Sequence, residues 1–263
     1  SQGDGRTMTH IHPSAVVAPG AKLEPDCSVG AFSVIGPDVT VGSGTVIGSH
    51  ALIEGITEIG ERCQIFSHVV LGAVPQIFHD RSEMTRLVIG DETVIREFAS
   101  VHRGSSKGRG ATVLGRRNYI MAYAHIAHDC LLRDDVMVAS QAGLAGHVEV
   151  EDRAVIGGQA GIHQFVRIGQ YAMVGACSAV LQDIPPFLKA QGNRAKCYGL
   201  NTIGLRRHGV CQEAVLRLKQ AYRLLFLSSL NTSQALERIA LEVGSCPEID
   251  HLTHFIKSSA RGI

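Results

Sequence analysis

Counting by six from Ile11 gives Val17, Leu23, Val29, Ile35, Val41, Ile47, Ile53, Ile59, Ile65 and Leu71, all branched aliphatics. The series resumes at Ile89, Ile95 and Val101, and again at Leu114, Ile120, Ile126, Leu132, Val138, Leu144, Val150, Ile156, Ile162, Ile168, Val174 and Val180. No polar residue interrupts it. A period of six is neither the 3.6 of an amphipathic helix nor the 2 of a half-buried strand. Two residues before each aliphatic the side chain is mostly small, as at Ala15, Ala21, Cys27, Ser33, Thr45, Ala51, Ala142, Ala154, Ala160 and Ala172. Glycine often follows the aliphatic, as in Val29-Gly30, Ile47-Gly48 and Val174-Gly175. Short strands joined by tight corners satisfy this pattern. The aliphatic fills a narrow interior, the small residue sits where walls crowd, and glycine eases the turn. Hexapeptide repeats of this kind mark parallel β-helices, whose stacked coils expose sheet edges only at the two ends.

The period stops after Pro185-Pro186. "QEAVLRLKQAYRLLFLS" (212–228) has apolar residues on helical spacing. "TSQALERIALEV" (232–243) opens on Thr232 or Ser233 as cap and ends before Gly244, and "PEIDHLTHFIKSSARG" (247–262) has Pro early and Gly late. The expected organisation is a tag remnant or disordered extension over residues 1–8, a β-helix over 9–190 with inserted loops at 73–86 and 104–111, and a helical domain over 191–263.

The net charge of +1 gives no reason to expect a nucleic-acid partner. Seven scattered cysteines without a C-x-x-C spacing argue for a reducing compartment, and no apolar run reaches the roughly 18 residues of a membrane span. A cytoplasmic protein is expected.

The hexads resemble those of the left-handed parallel β-helix acyltransferases, which place three hexads in each coil. The left hand is implied by that resemblance; the general preference of parallel crossovers is the right hand. The fold class is then mainly β: a left-handed parallel β-helix with a C-terminal α-helical domain. Eighteen residues per coil would stack Ile126, Leu144 and Ile162 on one face, and with them His128, Gly146 beside His147, and Gln164 beside His163. Both inserted loops would leave from the corner carrying His128, where they would wall a cleft. A zinc site would need three or four converging ligands. His125 and His128 are an odd number apart and tend to opposite sides of a strand, so a metal is not expected. A histidine beside a carboxylate, as in His128-Asp129, suits general-base work.

The blocks "AHIAHDC", "LAGHVEV", "IHQFVRIG", "QDIPPF", "AQGN" and "GLNTIGLRRHG", in this order and spacing, resemble the UDP-N-acetylglucosamine acyltransferases that begin lipid A synthesis. The likeness runs from about residue 9 to 262. It implies that the 3-hydroxyl of a UDP-sugar attacks a 3-hydroxyacyl thioester on acyl carrier protein. It implies His128 as general base, Asp129 as its orienting carboxylate and the Gly146 N–H as oxyanion donor. His125, His147, His163, Gln164, Gln76 and His79 would line the acceptor and acyl groove. Asn201, Arg206 and Arg207 would meet the nucleotide, and Ala176 would limit the acyl chain. Lys189, Arg194, Lys196, Arg206 and Arg207 are candidates to meet an acidic carrier. No metal is implied, and no cofactor beyond the carrier's phosphopantetheine. The family works as a homotrimer with sites between subunits.

The sequence also departs from the family. Ile77, Phe78 and His79 follow Gln76 where Asp-Leu-Lys is usual, Ile203 replaces a usual Glu, and His208 a usual Arg. These leave open a different UDP-sugar, such as a 3-amino analogue. A non-catalytic scaffold and a β-helix metalloenzyme are the other readings.

Overall fold

The structure, a computed structural model, describes residues 9–78 and 84–263. Three sheets of eleven, nine and eight strands, here A, B and C, form the faces of a left-handed parallel β-helix. Most strands are two residues long, such as His125–Ile126, and each pairs in parallel with the strand one coil away. The aliphatic column turns inward and forms one continuous core in which Ile53, Leu71, Ile126 and Leu144 are fully buried. Each such side chain contributes about 1.5–3 kcal/mol. The small column lies at the corners. Where it carries a hydroxyl, the next coil satisfies it: Ser33 Oγ donates to the Gly48 carbonyl at 2.7 Å, and Thr45 Oγ1 to that of Gly60 at 2.8 Å. Such buried polar groups therefore cost little.

Most corners hold a residue in the left-handed region, and most of these residues are not glycine. Stacking down a corner column offsets that strain. From sheet A to sheet B the column is Phe32, His50, His68, Phe98 and Tyr123, with ring centroids 4.8–5.1 Å apart. From C to A it alternates in charge, with Arg62 on Glu92 and Arg117 on Asp135.

Val70 pairs with Ser100 and Ser100 with His125, so these two coil steps are longer than the others. Their extra residues fall between strands Val70–Ala73 and Arg86–Ile89 and, as loop 103–110, between Ser100–His102 and Ala111–Leu114. Both insertions leave sheet B at the corner of His128. Sheet A continues past residue 190: strand Leu188–Gln191 turns back antiparallel onto Lys196–Leu200.

Helices then begin at α1 (Thr202–Arg207), followed by α2 (Gln212–Phe226), α3 (Thr232–Glu242) and α4 (Pro247–Lys257). The short helix α1 carries no clear sequence signal of its own. The cap of α3 is Asn231, not Thr232 or Ser233: its side chain accepts from Gln234 N while Gln234 reaches back to Asn231 N. Helix α4 ends at Lys257, well short of Gly262, because Ser258 already closes it. Leu205, Leu218, Ile239 and Leu252 pack with Tyr171 and Phe187 of the last coils into a second core. Among the described residues no helix is long and apolar enough to cross a membrane.

Candidate active site

The outward column of sheet B runs Val16, Val34, Leu52, Val70, Ser100, His125, Gly143, Gly161, Ala179. Its side chains shrink below His125. A Cβ added to Gly143 or Gly161 would meet nothing within 4 Å, so these glycines leave an open floor. The result is a groove of about 540 Å3 whose lining includes Gln76, His125, His128, Gly146, His163 and Leu181. His125 and His128 share it. The alternation that sends residues an odd number apart to opposite faces ends at the corner after Ile126, and the turn swings His128 back toward the groove.

His128 lies at that corner with a side chain 16% exposed, and its Nδ1 is 2.8 Å from Asp129 Oδ2. Asp129, fully buried, also accepts from Ser105 N, Ser105 Oγ and Gly110 N, all from loop 103–110. Burial works to raise the Asp129 carboxyl, but hydrogen bonds from Ser105 and His128 outweigh it and hold it below the usual carboxylate range. An ionised Asp129 makes Nδ1 the protonated nitrogen of His128, which leaves the lone pair on Nε2. That nitrogen lies over Gly146: a Cβ there would be 2.6 Å from Nε2 and 2.5 Å from Cε1. Only glycine leaves the ring its place. The Gly146 N–H makes no hydrogen bond among the described residues.

One coil on, His147 occupies the corner column of Asp129. It meets the His128 ring edge-on at 5.1 Å and stacks on Phe165 at 4.4 Å. Burial pushes its pKa down, partly countered by Asp129. His125 Nδ1 lies 2.8 Å from Ser100 Oγ, and burial lowers its pKa as well. His163 is exposed at the far end, 3.3 Å from an Arg261 nitrogen, and Gln164 is exposed below Gly146.

Ligand atoms of His128, Asp129 and His147 come within 4.8 Å of one another, a juxtaposition the spacing of His125 and His128 does not reveal. The stacking of successive coils brings His147 in. These three groups would hold a divalent ion only at the expense of the bonds Asp129 makes to Ser105 and His128.

His102 escaped the sequence reading. It is buried, and its ring meets that of His125 edge-on at 5.1 Å. Burial lowers its pKa, and its Nδ1 has no hydrogen-bond partner among the described residues. It follows Val101 as Ala127 follows Ile126 and His163 follows Ile162, so the period itself held the signal.

Other expected residues fall elsewhere. Asn201, Arg207 and His208 line a separate hollow of about 510 Å3 on the face of sheet A, with Lys189, Tyr171, Met173 and Ile203. Both polar atoms of the Asn201 side chain are engaged within the chain: Oδ1 caps α1 by accepting from Gly204 N, and Nδ2 donates to the Tyr171 carbonyl. Arg206 points away from Arg207 into another hollow with Lys219. Ala176 is exposed at the corner between sheets A and B, off the groove's lining. His79 lies outside the described residues.

Residues 183–263 match the model of the UDP N-acetylglucosamine O-acyltransferase second domain, and residues 20–55 that of the bacterial transferase hexapeptide. An acyl-[acyl-carrier-protein]–UDP-N-acetylglucosamine O-acyltransferase of Thermodesulfovibrio yellowstonii is 47% identical over 256 residues, 97% of this chain and 99% of that protein. One of Syntrophobacter fumaroxidans is 49% identical over 254 residues, 96% of this chain and 98% of its own. The solved UDP-N-acetylglucosamine acyltransferase of Campylobacter jejuni superposes with a TM-score of 0.91 at 40% identity, over 96% of this chain and 98% of that one. Likeness of this extent runs through coil, loops and helical cap alike, and on it the chain belongs to the UDP-N-acetylglucosamine O-acyltransferase family.

Proposed function

We propose that this protein transfers a 3-hydroxyacyl group from acyl carrier protein to the 3-hydroxyl of UDP-N-acetylglucosamine, the step that opens lipid A synthesis. The observation that carries the reading is the His128 ring, held by Asp129 through Nδ1 and lying over Gly146 at the end of a glycine-floored groove. Nε2 takes the proton of the sugar hydroxyl as its oxygen attacks the thioester carbonyl. The unspent Gly146 N–H meets the oxyanion. Collapse expels the phosphopantetheine thiolate, which recovers the proton from His128. Asp129 fixes the ring and stabilises its charged form. His125, His147, His163, Gln164 and Gln76 serve the acceptor and acyl groove, and Ala176, off the lining within one copy, limits the chain where copies meet. The donor brings its own phosphopantetheine, so no resident cofactor is needed.

The assembly is a homotrimer. Among the described residues the outward columns of sheets A and B carry no carboxylate, and Val34, Val46 and Phe32 are exposed there, whereas that of sheet C carries Glu58 and Glu149. The two apolar faces meet at the aromatic corner. With that corner at a threefold axis, sheet A of one copy covers sheet B of the next. The hollow of Asn201 and Arg207 then faces the neighbour's His128, with Arg206 and Lys189 close enough to serve nucleotide or carrier. Seven free cysteines suit the cytoplasm, where the carrier is found.

The test is mass spectrometry of products from mixed acyl-carrier donors with UDP-N-acetylglucosamine and its 3-amino analogue. Turnover of the standard sugar, falling about 10²–10⁴-fold in His128→Ala, is expected. Exclusive use of the amino sugar would trace to Ile77, Ile203 and His208. No thioester consumption with either would overturn the reading.

A further inference from the structure

Asp129 receives more hydrogen bonding than its corner needs. The next two coils place His147 and Phe165 at the same left-handed position, without a carboxylate. Loop 103–110 stands outside the repeat, so the coil closes without it as well. Yet the loop folds over Asp129. Ser105 N lies 3.1 Å from Oδ2, Ser105 Oγ 2.5 Å from Oδ2, and Gly110 N 3.0 Å from Oδ1. Ser105 is itself 2% exposed. A Cβ on Gly108 would fall onto the carboxylate, so glycine there lets the loop close against it. Arg109 then ties the loop to Glu149 of sheet C.

We infer that loop 103–110 is a carboxylate clamp and that Ser105 is a positioning residue for the transfer, acting on His128 through Asp129. The inference rests on His128 being the base. Three donors from one loop fix the rotation of the carboxylate, so that one Oδ2 lone pair faces His128 Nδ1 and holds Nε2 over Gly146. They also spread the negative charge of Asp129. A carboxylate deprived of the Ser105 hydroxyl concentrates its charge on the His128 N–H and favours the imidazolium. That moves the acid limb of the pH–rate profile to higher pH, an effect mere packing would not produce.

The experiment compares purified full-length wild type, Ser105→Ala, Ser105→Thr, Gly108→Ala and His128→Ala with acyl carrier protein donor and UDP-N-acetylglucosamine across pH. Ser105→Ala is expected to lose about 10- to 100-fold in kcat, with KM for both substrates within about twofold and the acid limb displaced upward. Ser105→Thr, which keeps the hydroxyl, restores rate and profile. Gly108→Ala lowers kcat by displacing the carboxylate. Should Ser105→Ala not fold, Ser105→Cys, a weaker donor of similar size, replaces it with the same expected order. Normal kcat and an unmoved profile in the serine variant, while His128→Ala is inactive, would overturn the clamp and leave the base standing. An active His128→Ala would overturn both.

Discussion

The coil and the helical cap are built on different principles, and the difference shows in how each carries function. In the coil a residue's place follows from its number. His125, Gly143 and Gly161 stack because they are one coil apart, and so do His128 and Gly146. In the cap, place follows from which side chains pack. Arg206 and Arg207 are neighbours in sequence yet line different hollows, because α1 is docked through Leu205 onto the last coils. A regular scaffold aligns chemical groups along one face. A packed helix presents whatever side its core leaves outward.

The sharpest way to break this contrast is Gly146→Ala. If register alone sets the site, one methyl at 146 must move the His128 ring, since the added carbon would sit 2.5 Å from Cε1. A displacement of about 1 Å costs roughly 10²-fold in rate. We expect kcat to fall by at least about that factor while the melting temperature stays near that of the wild type. A normal rate would mean that the coil yields more readily than its close packing implies.

A smaller effect is expected at Asn201, where cap and site compete for one side chain. Asn201→Ala removes the cap of α1 and the bond to the Tyr171 carbonyl. It should lower stability by about 0.5–2 kcal/mol, seen in a denaturant midpoint. Asn201→Asp keeps the acceptor for Gly204 N and loses the donor to Tyr171. Recovery of most stability in it, with an unchanged KM for the nucleotide sugar, would assign Asn201 to structure alone. A raised KM at recovered stability would place it in the nucleotide's path.

The same contrast explains what the sequence disclosed. The pairing of His128 with Gly146 was legible because both belong to the period. So in principle was His102, which obeys the same count from Val101. The shared groove of His125 and His128 was not, because strand alternation says nothing about a corner. The hold of Ser105 on Asp129 was hidden too, since a loop outside the repeat has no register from which to infer contact. Asn231, Thr232 and Ser233 could each cap α3, since Asn, Thr and Ser all cap well, and only the backbone decides among them.

Acid separates the site coils from the rest by the smallest margin. Burial lowers the pKa of His102, His125 and His147 from an ordinary value of 6.5. Below about pH 6.5 the unfolded chain takes up protons at these positions before the folded one does. Their contribution to stability is therefore complete above pH 6.5 and declines as pH falls toward the lower folded values. Asp129 behaves differently in range: its folded pKa is also lowered, so its contribution persists until pH drops below the ordinary 3.8 and through the folded value. Between pH 7 and 5 the histidines act and Asp129 does not. The melting temperature should decline across this interval, and His102→Gln, which keeps an N–H donor for the Val74 backbone, should decline less. An equal slope in wild type and variant would show that His102 takes up its proton in the folded coil as readily as in the unfolded chain. The unpaired Nδ1 would then be a site of protonation instead of a buried acceptor.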